Sequence, residues 1–343
     1  MQELAPRIAA YAAHRMPNAR DVTAFDVDRI HGGASRETYR FKLRFSDGAR
    51  PVERRLILRR DPPGSLIETD RAAEFVAYRA FYKTAVPVPE ALWLEADAKW
   101  LDHPFFVMEE IAGFEASPQA LIAPPYAAHA ERTAREKWTI LGAIAAADPE
   151  KLGVVGQLPA PASPAESWRR EVDHWTKVVD EDELEPQPIV RAALRQLRRT
   201  PPPAPARLHV VHGDYRSGNF LFDKEGGIRG ILDWEMAHLG DPLEDLAWSL
   251  NRTWCWARDG RVGGLTTKEN AIRLWEASSG LRADPEALRW WELFASVKAQ
   301  AIWISSGREY TDGANKDPIL ALSSVWLTNS QDRAMLETMG KLS

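Results

Sequence analysis

Alternation of apolar and polar residues predicts one helix followed by several strands at the start of the chain. Apolar residues recur at helical spacing from residue 3 to about 15, which indicates an amphipathic helix. Apolar and polar residues then alternate over 25–30 and 38–45, and a short apolar run covers 56–58, as is typical of strands. A glycine-containing turn at 46–48 joins the second and third runs. The pattern predicts an antiparallel meander.

An inserted helix and two further strands complete this first region. Residues 70–83 place aromatic side chains on one helical stripe, which predicts a helix. Apolar runs over 86–94 and 105–108 predict two more strands. Five strands and one helix are therefore expected in about the first 110 residues.

The periodicity beyond this region is mainly helical. Apolar residues follow helical spacing in three segments: 131–147, 166–179 and 189–199. A proline-rich stretch at 200–206 must interrupt the helices. Asp-Pro pairs at 241–242 and 284–285 are typical helix starts, with the Asp as cap and the proline in the first turn.

Two short apolar runs, 208–211 and 228–232, predict strands on either side of a turn-rich segment. The chain therefore divides into a β-rich lobe, residues 1–111, and a helical lobe, residues 112–343. The predicted fold class is α+β and bilobal, with a small antiparallel β lobe carrying one helix and a larger, mainly helical lobe. A cleft between two such lobes is a common ligand site.

Composition and charge narrow the functional classes. The chain has 343 residues, 45% of them apolar and 27% charged, which excludes a disordered or low-complexity protein. A net charge of −5 disfavours a general nucleic-acid binder. The single cysteine, Cys255, offers neither an internal disulfide nor a cysteine cluster for zinc. Without a signal layout or a long apolar run, we expect a cytoplasmic monomer or homodimer with no membrane partner.

One stretch combines the residue types that phosphoryl transfer requires. Asp214 is followed five residues later by Asn219, and Asp233 comes after the next apolar run. Carboxylate and amide oxygens are the ligands that Mg²⁺ prefers, and nucleotide phosphates commonly complete its shell. A base for the acceptor proton, a cation and donors to the phosphates are the parts such a site needs.

Two other interpretations of this stretch remain open on the residues alone. Asp, Gly and Asn are also favoured in turns for local reasons, so the segment is compatible with a plain hairpin. His209, His212 and Asp214 are also compatible with a metal-dependent hydrolase.

The order of several motifs resembles the aminoglycoside phosphotransferase family, the small-molecule branch of the protein-kinase-like fold. The motifs that carry the resemblance are Gly32-Gly33-Ala34-Ser35-x2-Thr38, Pro104-Phe105-Phe106-Val107-Met108-Glu109, His212-Gly213-Asp214-x4-Asn219, Ile231-Leu232-Asp233-Trp234-Glu235 and Gly240-Asp241-Pro242-x2-Asp245-Leu246. The phrase Leu58-Arg59-Arg60-Asp61-Pro62-Pro63-Gly64 is similar to the kinase-like domain fused to certain acyl-CoA dehydrogenases, and to free-standing bacterial relatives of that domain.

The resemblance implies a role for each matching residue. Asp214 is expected to accept the proton of the substrate hydroxyl, and Arg216 to reach the transferred phosphoryl group. Asn219 and Asp233 are expected to hold Mg²⁺. The nucleotide is expected to contact Gly32, Gly33, Ser35, Arg59, Glu74, Met108, Glu109 and Ile111. His212, Asp241 and Asp245 are expected to brace the structure rather than to react.

One position departs from the general kinase pattern. Kinases place a lysine on the third strand, paired with a glutamate of the inserted helix. Here Arg59 follows the third apolar run, and Glu74 is its expected partner, with Glu68 a second choice. Arginine keeps the charge but offers a longer, planar fork.

The sequence therefore predicts a phosphotransferase that uses ATP and Mg²⁺ to phosphorylate a small-molecule hydroxyl. The expected acceptor is a hydroxylated acyl compound, free or as its CoA thioester, because the most similar branch is linked to acyl-CoA metabolism. Two alternatives remain open: an aminoglycoside phosphotransferase, for which the acidic run at 180–185 would have to face the acceptor, and a pseudokinase that binds nucleotide or acyl-CoA without transfer. Residues 254–256 are a candidate wall of the acceptor pocket.

Overall fold

The structure, a computed structural model, describes residues 4–30, 37–48, 50–61, 71–257, 259–313 and 317–342. The expected glycine loop with Gly32, Gly33 and Ser35 lies outside these residues, as does Glu68. Within the described part of the chain, no helix is both long enough and apolar enough to cross a membrane.

The N-terminal region is an antiparallel sheet. One helix precedes its first strand, and a second helix follows its third strand. Its elements are α1 (Leu4–Arg15), β1 (Ala19–Ile30), β2 (Glu37–Asp47), β3 (Arg50–Arg60), α2 (Arg71–Phe81), β4 (Ala91–Glu95) and β5 (Phe105–Glu109). The five strands pair in the order β1-β2-β3-β5-β4. The predicted meander and inserted helix are confirmed.

The predicted strand at 86–94 is wrong at its beginning, because β4 starts only at Ala91. Pro87 and Pro89 lack the N–H groups that a sheet ladder needs, so 86–90 remains irregular. The carbonyl oxygen of Pro87 instead accepts a hydrogen bond from the Ile231 N–H, 2.7 Å away. This bond fixes the entry to β4 against the region that carries the candidate site.

The remaining chain is mainly helical. Its helices are α3 (Pro118–Leu121), α4 (Ala130–Ala146), α5 (Ser167–Asp182), α6 (Pro188–Arg199), α7 (Pro242–Leu250), α8 (Lys268–Ser279), α9 (Pro285–Asp312) and α10 (Pro318–Thr338). Asp241 and Asp284 cap α7 and α9 as predicted, each accepting from backbone N–H groups of the first turn.

Four short strands interrupt these helices: β6 (His209–Val211), β7 (Phe220–Phe222), β8 (Ile228–Ile231) and β9 (His238–Gly240). The sequence pattern predicts only the first and third. In the structure β6 pairs with β9 and β7 with β8, so these four strands form two separate antiparallel ladders. The segment between β6 and β7 and the segment between β8 and β9 therefore meet side by side.

Two hydrophobic clusters hold the fold together. One lies between α1 and one face of the five-stranded sheet, with Tyr11, Phe41 and Phe105 among its buried rings. The other begins on α2 and the opposite face of the sheet and continues through the helical region to α9 and α10. The core thus crosses residue 111, and a division of the chain at that residue stays a prediction.

Candidate active site

The loop between β6 and β7 places three polar groups on the carboxylate of Asp214. The Asn219 amide nitrogen donates to Oδ2 at 2.6 Å, and the Arg216 Nε donates to both oxygens at 3.1 Å. The Trp248 indole N–H on α7 donates to Oδ1 at 2.8 Å. These hydrogen bonds therefore hold the Asp214 carboxylate in a fixed orientation.

Buried groups behind the loop fix its backbone. Asp245 accepts hydrogen bonds from the N–H groups of His212 and Gly213, at 2.6 and 2.9 Å. The Lys298 ammonium on α9 donates to the Gly213 carbonyl at 2.6 Å and to Glu244 at 3.0 Å. Burial raises the pKa of Asp245 to about 6, against the two backbone donors. The expected bracing role of Asp245 is confirmed.

His212 stabilises the loop as a neutral side chain. Burial lowers its pKa to about 4, so the imidazole is uncharged at neutral pH. The Asp214 N–H lies 3.1 Å from Nδ1, and the Leu232 carbonyl lies 2.9 Å from Nε2. A donor faces Nδ1 and an acceptor faces Nε2, so these partners assign the proton to Nε2. His212 thereby ties the loop to the end of β8.

Asp233 follows β8 in a left-handed backbone conformation with φ of 67°. Its N–H donates to the Tyr78 hydroxyl of α2 at 2.9 Å, and its Oδ1 accepts from Arg59 at 2.8 Å. Burial opposes ionisation of Asp233, but the Arg59 guanidinium outweighs it and holds the pKa of the carboxyl below its usual range. Asp233 is therefore an anion at neutral pH.

Arg59 joins the sheet, the inserted helix and the helical region. Its NH1 lies 2.7 Å from Glu74 Oε1, as expected for the strand–helix pair. Its NH2 lies 2.8 Å from Asp233 and 3.6 Å from Glu235. Both Arg59 and Glu74 are buried. A guanidinium has several donors in a planar fork and can serve three carboxylates, which a single ammonium reaches less well.

A cleft of about 2300 Å³ brings the expected catalytic and metal-binding residues, with one expected nucleotide contact, to one surface. Of the residues expected from the sequence, it is lined by Arg59, Asp214, Arg216, Asn219 and Asp233. Trp254, Cys255 and Trp256 line the same cleft farther out. The residues at 254–256 thus lie where an acceptor wall is expected.

Three of the described residues that were expected to contact the nucleotide are not among the residues that line the cleft. Met108 is buried in β5, opposite Ile57 and Ala91 of the neighbouring strands. Glu109 pairs with Arg54 at 2.6 Å, and the side chain of Ile111 packs close to Gly230. Their contact with an adenine ring stays a prediction, as do the contacts of Gly32, Gly33 and Ser35.

The donor set suits a magnesium ion. The nitrogen of the Asn219 amide is engaged by Asp214, which makes its oxygen the atom available to a cation. Asp233 adds an ionised carboxylate on the same cleft. Hard oxygen ligands of this kind fit Mg²⁺ bound together with phosphates.

A second group of possible metal ligands has a different function. Among the described residues, buried Glu171, His238 and Glu244 place ligand atoms within 4.8 Å of one another. The Lys298 ammonium forms an ion pair with Glu244 in this group. Burial opposes a charged imidazole, but the two carboxylates outweigh it and raise the pKa of His238. The group is an ion-pair network that anchors Lys298 beneath the loop.

The hydrolase interpretation lacks its third ligand. The Nδ1 of buried His209 lies 2.6 Å from the Ala145 carbonyl, and His209 does not line the cleft. His212 is engaged by Asp214 and Leu232. The three side chains therefore do not converge on one point.

Sequence analysis missed two residues that contact the loop. Trp248 lies three residues after Asp245 on α7, a spacing that places both on one face. Lys298 is the one charged residue in the otherwise uncharged stretch 293–301 of α9. A single charged residue in a buried helix needs a partner. This isolated charge is the sequence feature from which Lys298 could have been recognised.

Comparisons with known proteins show a family match and similarity to parts of longer proteins. The family model described as "Phosphotransferase enzyme family" matches residues 26–291. Acyl-CoA dehydrogenase family member 10 of Mus musculus is 29% identical over 227 residues, which are 63% of this chain and 19% of that protein. Acyl-CoA dehydrogenase family member 11 of Homo sapiens is 30% identical over 198 residues, 56% of this chain and 24% of that protein. The chain thus spans about a fifth to a quarter of the length of these relatives.

An antibiotic-modifying enzyme is also similar. Viomycin phosphotransferase of Streptomyces vinaceus is 30% identical over 165 residues, 45% of this chain and 52% of that protein. Among solved structures, a proposed aminoglycoside phosphotransferase from Ralstonia eutropha superposes with a TM-score of 0.75 at 21% identity, covering 98% of both chains. Aminoglycoside phosphotransferase APH(4)-Ia, in a ternary complex with AMP-PNP and hygromycin B, gives a TM-score of 0.59 at 18% identity, covering 96% of this chain and 98% of that one. These structures show the kinase-like bilobal α+β fold.

Proposed function

The chain belongs to the phosphotransferase enzyme family, and from that premise we propose that it transfers the γ-phosphoryl group of ATP to a hydroxyl group of a small molecule, with Mg²⁺ as cofactor. The observation that carries the proposal is the convergence of Asp214, Asn219 and Asp233 on one cleft. A base, two oxygen ligands and nearby cations are the parts that phosphoryl transfer needs.

Asp214 is the group that handles the proton. Its fixed carboxylate takes the proton of the acceptor hydroxyl while the hydroxyl oxygen forms a bond to the γ-phosphorus. The bond between the γ-phosphorus and the bridging oxygen of ADP breaks, and ADP leaves with that electron pair. Holding the base before the substrate arrives removes part of the cost of aligning the reacting groups. Asn219 and Arg216 fix its orientation through their hydrogen bonds.

The other residues bind and orient the nucleotide. Bound Mg²⁺ supplies positive charge that neutralises the phosphates, and Asn219 and Asp233 are the residues that would hold it. Arg59 contributes a buried guanidinium next to the Asp233 carboxylate, and Arg216 contributes a second cation that lines the cleft. In this proposal the glycine loop covers the phosphates and the segment from Met108 to Ile111 contacts adenine.

The outer cleft supports an acceptor with a large apolar part. Apolar side chains from four segments face it beyond Asp214: Leu250, Trp254, Trp256, Ile302, Trp303, Leu322 and Trp326. Aromatic and aliphatic surfaces of this kind bind hydrocarbon groups. This lining favours a hydroxylated acyl compound, free or as its CoA thioester, as the acceptor.

The charges of the outer cleft favour an acceptor that is not a polycation. Among the described residues that line it away from the reaction centre, six are Arg or Lys and two, Glu181 and Asp182, carry carboxylates. The cations have carboxylate partners, as in the pair of Lys268 with Glu292 at 2.5 Å, so the wall is not strongly basic. It nevertheless lacks the acidic surplus that would attract a polycation.

An aminoglycoside acceptor is the second candidate. Glu181 and Asp182, from the end of α5, bring two carboxylates of the acidic run to the cleft, where Lys177 lies 3.7 Å from Glu181 and the Ser305 hydroxyl donates to Asp182. The fold shared with aminoglycoside phosphotransferase APH(4)-Ia, whose structure holds hygromycin B, is compatible with this candidate.

An acceptor screen tests the proposal. The purified chain is incubated with Mg²⁺ and ATP and with hydroxyacyl-CoA thioesters, free hydroxy acids or aminoglycosides, and phosphorylated products are identified by mass spectrometry. Product from the first two groups supports the favoured acceptor, and product from aminoglycosides alone supports the second candidate. Thermal stabilisation by nucleotide without any product would identify a pseudokinase and overturn the proposal.

A further inference from the structure

The buried indole of Trp248 makes a contact that its packing does not require. Trp248 is buried on α7, and its N–H points at the Asp214 carboxylate rather than at a backbone carbonyl. A buried indole N–H needs an acceptor, and a backbone carbonyl would be sufficient for packing. Trp248 instead donates to the carboxylate that takes a proton in the proposed reaction. The contact therefore suggests a role for Trp248 in catalysis.

Trp248 is also the donor to Asp214 that has no second duty in the proposed reaction. In the proposed reaction Arg216 contacts the transferred phosphoryl group and Asn219 holds the cation, so each serves a ligand besides its hydrogen bond to Asp214. Trp248 reaches the base from the opposite element, α7, at 2.8 Å. It can keep Oδ1 in place while the other two donors serve their ligands.

Two neighbouring side chains pack against the indole. The Lys298 ammonium lies 5.1 Å from the centre of its ring, and Trp254 packs edge-on at 5.0 Å. Trp254 in turn lies under the Arg216 guanidinium at 4.9 Å. The ring therefore has little freedom to turn its N–H away from Asp214.

We propose that Trp248 is the positioning residue of the catalytic base, keeping the Asp214 carboxylate oriented toward the acceptor hydroxyl throughout the reaction. This inference rests on the proposed function, because Trp248 acts through Asp214. Loss of the hydrogen bond from Trp248 therefore frees the Asp214 carboxylate to rotate away from the acceptor hydroxyl.

Trp248→Phe removes the N–H and retains an aromatic ring. Because a hydrogen bond to a charged group is worth about 1.5–3 kcal/mol, we expect kcat to fall roughly 10- to 100-fold while the KM for ATP changes less than about twofold. Trp291→Phe is the matched control, because Trp291 is also buried and donates to a carboxylate, Asp241 Oδ2 at 3.1 Å, away from the loop.

A spectroscopic measurement tests the contact without turnover. In a ¹⁵N spectrum of the indole groups, the signal missing from Trp248→Phe identifies Trp248, and the expected result is that Asp214→Asn shifts this signal in the otherwise native chain. An unmoved signal, or a Trp248→Phe enzyme with the kcat of the native one, overturns the inference. Absence of transfer by the native chain would instead count against the proposed function, and the spectrum still decides the contact.

Discussion

The guanidinium of Arg59 on β3 donates a hydrogen bond to Oδ1 of Asp233, 2.8 Å away, across the two parts of the fold. Asp233 is also the proposed magnesium ligand. The residue at the position of the usual kinase lysine therefore links the sheet directly to the side of the cleft that carries Asp233. The contacts with Glu74 and Glu235 extend this link on both sides.

Replacement of Arg59 is expected to weaken both the fold and nucleotide binding. Arg59→Met leaves the buried Glu74 and Asp233 carboxylates without this cation, so the free energy of unfolding should fall by about 3–5 kcal/mol. Arg59→Lys keeps the charge but not the fork, and should give a smaller loss. Urea denaturation measures the first effect, and nucleotide-induced thermal stabilisation measures the second.

Arg44→Met is the control for this comparison. Arg44 pairs with Glu53 at 2.9 Å on the exposed part of the same sheet, where an ion pair is worth at most about 1 kcal/mol. Equal losses in Arg59→Met and Arg44→Met would contradict the bridging role of Arg59.

The sequence pattern was sufficient for the elements whose signals are local. The Asp241 and Asp284 caps, the meander of β1 to β3 and the helix at α2 all follow from side chains within one element. Pairing of β6 with β9 was not predictable in this way, since three-residue strands carry little periodicity and their partners are chosen by the surrounding core.

The site divides in the same manner. Asp214, Asn219 and Asp233 were recognisable because their spacing itself carries the chemistry. Trp248 and Lys298 reach the loop from α7 and α9, and their contacts exist only after these helices pack. Sequence spacing contains no record of that packing.

Gly213 is expected to tolerate no side chain. Its φ is 85°, and a Cβ atom would lie 2.6 Å from the Cβ of Met236 and also collide with the Met236 carbonyl. Gly213→Ala should therefore displace Asp214, abolish transfer and cost several kcal/mol of stability, on the order of strain plus overpacking.

Gly280→Ala separates backbone strain from the steric clash in the prediction for Gly213→Ala. Gly280 has φ of 70° but no atom within 4 Å of its missing Cβ, so its alanine variant should show only the conformational strain, about 1 kcal/mol. Thermal denaturation and activity of both variants check this. If Gly213→Ala behaves like Gly280→Ala and stays active, the close approach to Met236 is unimportant.

Lys137 is expected to destabilise the protein at neutral pH. It is fully buried on α4, its ammonium has no hydrogen-bond partner among the described residues, and burial lowers its pKa from 10.5 to about 7. The unfolded chain binds the proton more tightly, so the penalty is complete below pH 7 and disappears as pH rises toward 10.5. Lys137→Met should raise the free energy of unfolding by a few kcal/mol at pH 6, since one pKa unit is about 1.4 kcal/mol.

The pH dependence checks this explanation. The gain from Lys137→Met in urea denaturation should shrink between pH 7 and pH 9.5, whereas the exposed Lys224→Met should be neutral at both. A gain that is independent of pH would mean that the amine is not the cause.

Lys298 is expected to give the opposite result, although it is equally buried. Its ammonium donates to Gly213 and to Glu244. Burial opposes ionisation of Glu244, but Lys298 and His238 outweigh it and lower its pKa to about 2. Lys298→Met should therefore lower the free energy of unfolding by about 3–5 kcal/mol at pH 7.

The acid range provides the check for Lys298. The contribution of Glu244 is complete above its unfolded pKa of 4.5 and is lost as pH falls toward 2. The difference between native protein and Lys298→Met in thermal denaturation should therefore narrow below pH 4.5. A stabilising Lys298→Met at neutral pH would contradict the ion-pair network.

Rate measurement of Asp214→Asn, alongside nucleotide binding, tests the central proposal most directly. With Mg²⁺, ATP and an acceptor from the screen, ³¹P NMR follows formation of the phosphomonoester. We expect Asp214→Asn to bind nucleotide normally and to form product at least about 10²-fold more slowly than the native chain, because the base is lost. Product formation by Asp214→Asn at the native rate would contradict the assignment of Asp214 as the base.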